Sequence, residues 1–236
     1  MIRFNHVNKR YPGGYQALKN VSFDIAKGEM VFVTGHSGAG KSTLLKLIAA
    51  IERPNLGSII VNNQNVGVLK ERAIPYLRRN LGIIFQDFQL LEDRNVYDNI
   101  AFTLHVTGVK RAEIKKKVLR ILGEVGLTHQ RNKMSHELSG GEQQRVAIAR
   151  ALVINPAVIM ADEPTGALDS QNAQLILDLL ADCARQGQTI VMVTHDANMA
   201  NQASRVLVMH DGRIVEGTEL PSEPSPAGLP SWGEPS

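Results

Sequence analysis

The chain has 236 residues, room for one large α/β domain with a substantial core or for two small ones. Its composition, 43% hydrophobic and 21% charged, is that of a globular protein and excludes wholesale disorder or a fibrous class. The net charge of +3 is mild and the lysines and arginines are spread along the chain, so charge gives no reason to expect a nucleic-acid partner.

The opening Met1-Ile2-Arg3-Phe4-Asn5 lacks the basic and apolar regions of a signal peptide, and no window approaches the roughly 18 uninterrupted apolar residues of a membrane span. The expected location is the cytoplasm, at a membrane only where a partner holds the chain there. Residues Ile2 to Val7 and Val21 to Ile25 alternate apolar with polar, the period of half-buried strands, with Tyr11-Pro12-Gly13-Gly14 as the loop between them. An antiparallel opening is predicted. A continuous apolar run, Met30-Val31-Phe32-Val33, then leads into a glycine-rich loop and into Leu44, Leu45, Leu47 and Ile48 at helical spacing.

A short strand, Ile83-Ile84-Phe85, ends at Gln86. From about Val96 to His136 the signals are helical, with Ile114, Val118, Ile121, Leu122 and Val125 on one apolar face. This predicts a helical subdomain inserted over about residues 87–150. A helix from about Gly141, a buried strand Val158-Ile159-Met160-Ala161, a helix carrying Leu175, Ile176, Leu179 and Leu180, and a second buried strand Ile190-Val191-Met192-Val193 follow. Strands alternating with helices predict an α/β fold whose mainly parallel sheet is covered on both faces. The ordered domain is expected over residues 1–216. From Gly217 the composition turns to proline, serine, glycine and glutamate, and a disordered tail is expected over 217–236. Cys183, the single cysteine, falls on an amphipathic helix and reads as a buried structural thiol.

Gly35-His36-Ser37-Gly38-Ala39-Gly40-Lys41-Ser42-Thr43 fits the phosphate-loop pattern G-x-x-x-x-G-K-[ST], placed after a buried strand and before a helix. Glycines let such a loop curl so that backbone N–H groups face phosphate oxygens, and the helix N-terminus adds partial positive charge. Lys41 is expected to reach the β- and γ-phosphates and Ser42 to ligate Mg²⁺. The loop alone does not choose among nucleotide triphosphatases. Asp162 and Glu163, adjacent at the end of a buried strand, are costly unless one serves a metal and the other has chemistry to do. Asp162 is expected to hold Mg²⁺ and Glu163 to polarise the attacking water. In isolation the pair also reads as a solvated acidic turn before Pro164. Leu138-Ser139-Gly140-Gly141-Glu142, opening a helix with Gln143-Gln144-Arg145, is a second anion-binding helix end.

With both motifs in hand, the chain resembles the ABC ATPase family over nearly all of residues 1–216. The family's signature is LSGGE or LSGGQ followed by a helix of this kind. The resemblance implies an ATP-hydrolysing P-loop domain with Mg²⁺ as cofactor, and it implies that Tyr11 stacks on adenine. By the same resemblance Gln86 would sense Mg²⁺ and the γ-phosphate, Asp169 would lie in the loop crossing the dimer interface, and His195 would be the switch histidine. It also implies a homodimer on ATP binding, in which Ser139, Gly140, Gly141 and Glu142 of one copy cover the ATP held by the other. Without the resemblance, Tyr11 and His195 would read as packing and structural residues and Gln86 as a strand-end polar group.

Within the family the chain is similar to the bacterial cell-division branch, which pairs with a separate integral membrane protein and regulates cell-wall hydrolysis. That similarity lies in Met1-Ile2-Arg3-Phe4, the stretch from Gly35 to Ile48, Ile51-Glu52-Arg53-Pro54, and Tyr76-Leu77-Arg78-Arg79 through Phe85-Gln86-Asp87 to Val96-Tyr97-Asp98-Asn99. It implies a peripheral place on the cytoplasmic face of the inner membrane. Ala167 departs from the asparagine usual there. A lipoprotein-release or macrolide-export ATPase, a soluble ABC protein and a nucleotide-gated binding module stand as alternatives. The basic run Lys110-Arg111, Lys115-Lys116-Lys117 and Arg120 reads as the solvated face of a helix or as a surface for anionic lipid or a partner. His6, His105, His129, His136 and His210 show no ligand spacing and read as surface or packing residues, with no zinc site expected. Trp232 falls in the tail.

Overall fold

The structure is a computed structural model, and it describes residues 1–166, 168–195 and 202–215. The predicted tail, Trp232 and Ala167 lie outside the described residues. In chain order the elements are β1 (Ile2–Arg10), β2 (Gln16–Ile25), β3 (Met30–Thr34), α1 (Lys41–Ile48), β4 (Leu56–Val61), β5 (Gln64–Asn65), α2 (Ile74–Arg78) and β6 (Leu81–Ile84). They continue with α3 (Val96–Val106), α4 (Arg111–Glu124), α5 (Gly140–Leu152), β7 (Val158–Asp162), α6 (Ser170–Arg185), β8 (Thr189–Val193), β9 (Arg205–His210) and β10 (Arg213–Val215).

Two sheets result. The antiparallel one has the order β2-β1-β4-β5, and the alternation in β1 and β2 sets its register, pairing Ile2 with Ile25, Phe4 with Phe23 and Val7 with Val21. The Phe4 and Phe23 rings stack with centroids 4.6 Å apart. The larger sheet has the order β10-β9-β3-β8-β7-β6 and is parallel except where β10 turns back on β9.

Continuous apolar runs in β3, β7 and β8 are what a sheet covered on both faces requires. Successive side chains of a strand point to opposite faces, and the core divides accordingly. Val31, Val33, Val158, Met160, Val191 and Val193 pack with Leu44, Leu47 and Ile48 of α1 and with the antiparallel sheet. Met30, Phe32, Ile159, Ala161, Ile190 and Met192 pack instead with α5 and α6 and with the helical layer of α3 and α4.

The predicted helical stretch is not continuous. It breaks into α3 and α4, followed by short 3₁₀ turns at Thr128–Gln130 and Ser135–Glu137, because Gly108 and Gly126 adopt left-handed φ just beyond the helix ends. Ile114, Val118, Ile121 and Leu122 are buried along α4, whereas Lys110, Arg111, Lys115, Lys116 and Arg120 are exposed. β4, β5, β9 and β10 have no counterpart among the predicted strands, and β6 ends at Ile84 rather than Phe85. Cys183 is buried, and desolvation, with Asp182 and Glu124 nearby, pushes its thiol up to about 11, an unreactive group.

In open parallel sheets, function collects at the carboxyl ends of the strands. Here β6, β7, β8, β3 and β9 stand side by side and run the same way. Gln86, then Asp162 and Glu163, then His195, then the phosphate loop, then His210 and Asp211 follow along one edge.

Candidate functional site

The loop from Gly35 to Gly40 joins β3 to α1. Its start is pressed against β9: a Cβ on Gly35, at φ +143°, would lie 2.2 Å from the Met209 carbonyl oxygen. Only glycine lets the backbone pass there. The N-cap of α1 is Gly40, in left-handed conformation and without a side-chain cap, so the first N–H groups of the helix face the cleft. Lys41 is buried, and its ammonium donates to the carbonyls of Gly35 at 2.6 Å and His36 at 3.0 Å, curled into the loop it serves. Ser37, Gly38, Gly40, Lys41, Ser42 and Thr43 line a cleft of about 340 Å³ together with Tyr15, Glu163 and His195. Ala39 is buried beneath it.

The Ser42 hydroxyl lies near the Asp162 carboxylate and favours its charged form. Burial raises that carboxyl above its usual range and the Glu163 charge adds to this, against the Ser42 hydroxyl and the Lys41 and Lys46 charges, which lower it. A neutralising cation would relieve the cost. The donor set, a hydroxyl and a carboxylate, is all oxygen, which fits Mg²⁺.

Glu163 leaves the strand with φ +47°, uncommon for a residue with a side chain, while its N–H still donates to the Val193 carbonyl at 2.9 Å. This kink aims the carboxylate into the cleft, where Oε2 lies 3.1 Å from His195 Nδ1. His195 is positioned by β8, whose following residue Thr194 donates its N–H to the Val33 carbonyl of β3 at 3.2 Å. Gln86 is exposed at the end of β6. Its Nε2 and Glu163 Oε2 flank Gly166, 3.4 and 3.5 Å from where a Cβ on that glycine would stand. The structure thus brings Lys41, Ser42, Asp162, Glu163, His195 and Gln86 together. Arg150 holds the segment after Gln86 in place by donating to the carbonyls of Phe88, at 2.9 Å, and Gln89.

The second anion-binding end is elsewhere. Ser139, Gly140, Gly141 and Glu142 are absent from the lining of the phosphate-loop cleft. Ser139 caps α5 in a reciprocal box: its N–H donates to Glu142 Oε2 at 2.8 Å, its hydroxyl donates to the same oxygen at 2.9 Å, and Glu142 N–H returns to the hydroxyl at 3.4 Å. Gln130 adds a bond to Glu142 Oε1 at 3.2 Å. The carboxylate of Glu142 is therefore committed to the cap, and the cap leaves the N–H groups of Gly140 and Gly141 without a side-chain partner at this helix end. Asp169 caps α6 through Asn172, whose amide also meets Arg145 of α5 at 3.1 Å. A Cβ on Gly141 would strike that amide at 2.6 Å, so the small residue lets α5 and α6 close.

A family model for ABC transporters matches residues 18–166. The chain belongs to the ABC transporter family. It is 51% identical over 218 residues to the cell division ATP-binding protein FtsE of Escherichia coli (strain K12), covering 92% of this chain and 98% of that one. It is also 46% identical over 218 residues to the methionine import ATP-binding protein MetN of Clostridioides difficile (strain 630), covering 92% of this chain and 68% of the relative. Among solved structures, the dimeric ATP-binding cassette MJ0796 in a post-hydrolysis state bound to ADP and Pi superposes with a TM-score of 0.87 at 36% identity, over 94% of this chain and all of that one.

Contacts of this ABC cassette between distant segments were not legible in its sequence. Tyr15 lines the phosphate-loop cleft, with its hydroxyl donating to the Gly38 carbonyl at 2.8 Å. Tyr11, the residue matched to adenine stacking, stands with its hydroxyl 3.5 Å from that of Thr43 and with Lys9 Nζ 4.9 Å from its ring centroid. Gln144 of α5 is fully buried and donates from Nε2 to the Pro164 carbonyl at 2.7 Å, tying the signature helix to the segment that carries Glu163. Gln144→Leu leaves that carbonyl without its donor and is expected to cost about 1–3 kcal/mol, read as a lower urea midpoint at unchanged m. ATP turnover is expected to fall with it.

The capping box carries a pH signature. Glu142 is held below its ordinary value of 4.5, chiefly by the Ser139 N–H and then by the Ser139 hydroxyl. Its stabilising contribution is present above 4.5 and is lost as pH falls through the lower value it holds in the fold. The stability difference between the parent and Glu142→Gln is therefore expected at neutral pH and shrinks in acid, as urea titrations across pH would record.

Proposed function

We propose that the chain is the ATP-binding and hydrolysing subunit of an FtsEX-like complex. In this reading it closes as a homodimer on ATP and drives an FtsX-like integral membrane protein that regulates cell-wall hydrolysis in bacterial division. The observation that carries the ATPase is the Glu163–His195 contact of 3.1 Å in the cleft of the phosphate loop. The likeness to FtsE carries the branch.

Backbone N–H groups from Gly38 to Thr43 and the Lys41 ammonium take the β- and γ-phosphates, with Lys41 exchanging its loop carbonyls for phosphate oxygens. Ser42 and Asp162 would hold Mg²⁺, aided by Gln86. Bound there, Mg²⁺ supplies neutralisation of phosphate charge. Glu163 accepts a proton from the attacking water while His195 holds its carboxylate in place. Tyr11 stacks on adenine. Ser139, Gly140 and Gly141 of the second copy complete the site from across the interface, with Asp169 at the crossing and Glu142 acting through the cap.

In this reading the ATPase domain spans residues 1–216, with the helical part at about 87–150 as the docking region. No helix among the described residues is long and apolar enough to cross a membrane. In this reading the chain sits peripherally on the cytoplasmic face of the inner membrane, held by its partner, and no nucleic acid takes part.

Affinity capture of the Glu163→Gln chain, ATP-trapped, from detergent-solubilised cells tests the assignment. A co-purifying FtsX-like four-span protein is the expected result. Recovery of an importer, exporter or lipoprotein-release permease keeps the ATPase and overturns the division role. Recovery of no membrane protein overturns the membrane assignment.

A further inference from the structure

The turn from β9 into β10 is fixed against the phosphate loop. Gly212 N–H donates to the Ala39 carbonyl at 3.0 Å, and the Gly212 carbonyl accepts from the Lys19 N–H at 2.7 Å. Above this contact, His36 of the loop and His210 and Asp211 of the turn are all exposed, and each offers a donor atom within 4.8 Å of the other two. Spacing along the chain gave no sign of this group, because only the pairing of β9 with β3 brings its members together.

The hydrogen bonds of His36 define what the cluster lacks. Its Nδ1 lies 2.7 Å from the Ser37 carbonyl oxygen, which can only accept, so Nδ1 carries the proton. Nε2 of the neutral ring then presents a lone pair, 3.3 Å from Asp211 Oδ1, another acceptor. Two acceptors facing at that distance leave room for a cation between them, either a second ring proton or a metal. The other carboxylate oxygen of Asp211 lies 3.6 Å from His210 Nδ1, and the two imidazole rings meet edge-on with centroids 5.1 Å apart.

We propose that His36, His210 and Asp211 form a binding site for a zinc-class divalent cation that pins the phosphate loop to the β9–β10 turn. Two imidazoles and a carboxylate suit Zn²⁺, Ni²⁺ or Cu²⁺, whereas Mg²⁺ and Ca²⁺ favour oxygen-only sets, so this site is chemically distinct from the Ser42–Asp162 pair. A tetrahedral zinc ion with bonds of about 2.0–2.2 Å sets its donors about 3.4 Å apart. The 3.3 Å between His36 Nε2 and Asp211 Oδ1 already meets that, and the exposed His210 ring closes the remainder by rotation. Ser37 supplies the outer-shell carbonyl that orients a metal-bound imidazole. Water completes the fourth position, as the exposure of all three residues allows.

The test uses tag-free, chelator-treated full-length chain without Mg²⁺ or nucleotide, titrated with Zn²⁺ by calorimetry and with Co²⁺ by visible absorption. One cation per chain is expected, with the absorption bands of tetrahedral Co²⁺ bearing nitrogen ligands. His210→Ala and Asp211→Asn are each expected to weaken binding at least about tenfold. Asparagine suits the left-handed backbone at Asp211, where φ is +46°. Both variants are expected to keep the Mg²⁺-dependent ATPase rate in the presence of a zinc chelator, which separates loss of this site from loss of the fold or of the nucleotide site. Absence of Zn²⁺ and Co²⁺ binding by the parent overturns the proposal. Binding that survives in the double variant overturns it too, by placing the cation elsewhere.

Discussion

Glu163→Gln is expected to lower steady-state ATP turnover by about 10²–10⁴, the usual worth of a positioned general base. The amide keeps the shape of the carboxylate and donates or accepts in its place, so the cleft lined by Lys41, Ser42 and Thr43 is left intact and ATP still binds. What is lost is a group able to take a proton from water. His195, at 3.1 Å from Glu163 Oε2, then has an uncharged partner. Because binding persists and turnover does not, closed dimers are expected to accumulate with ATP, and size-exclusion chromatography with and without nucleotide would show the shift. A variant that turns over at the parental rate would remove Glu163 from its proposed role and return the pair with Asp162 to a solvated acidic turn.

Gly35→Ala is expected to be the most damaging single-methyl change in the phosphate loop. Its Cβ would stand 2.2 Å from the Met209 carbonyl oxygen and 3.3 Å from the Ala39 Cβ, at φ +143°. Relief requires moving either the loop or β9, and both are tied into the central sheet through the pairing of β3 with β9. A cost of about 3 kcal/mol or more is expected, a fall in melting temperature of roughly 6–12 °C for a domain of this size, together with loss of nucleotide binding. Gly38→Ala provides the contrast. Its Cβ meets nothing within 4 Å at φ +81°, so only the left-handed backbone penalty of about 1–2 kcal/mol applies. Equal losses at the two positions, measured by thermal unfolding, would show that backbone conformation rather than the approach to Met209 governs the loop.

The sequence by itself determined the parts whose function needs neighbouring residues. A phosphate loop is a contiguous device, and so are the Asp162-Glu163 pair at a strand end and the Ser139-to-Glu142 turn; each could be read from spacing alone. The apolar runs of β3, β7 and β8 and the helical face of α4 were equally legible, because burial on both faces or on one stripe imposes a pattern within the segment. Tyr11, Gln86, Asp169 and His195 had no such local pattern. They were placed by resemblance to the ABC family, and the structure then set Gln86 and His195 beside Glu163 and made Asp169 the cap of α6.

Tertiary structure alone decided the rest. β4 and β9, six residues each, carry apolar runs of their own, Ile59-Ile60-Val61 and Val206-Leu207-Val208-Met209, but what makes the three-residue β10 a strand is the partner it finds, Ile214 opposite Met209. The same holds for the Gln144–Pro164 bond, the Arg145–Asn172–Asp169 link, the place of Tyr15 over Gly38 and the meeting of His36 with His210 and Asp211. Each joins side chains from different strands or helices, and their distance in space is fixed by strand order and register, quantities that residue spacing along one chain does not contain.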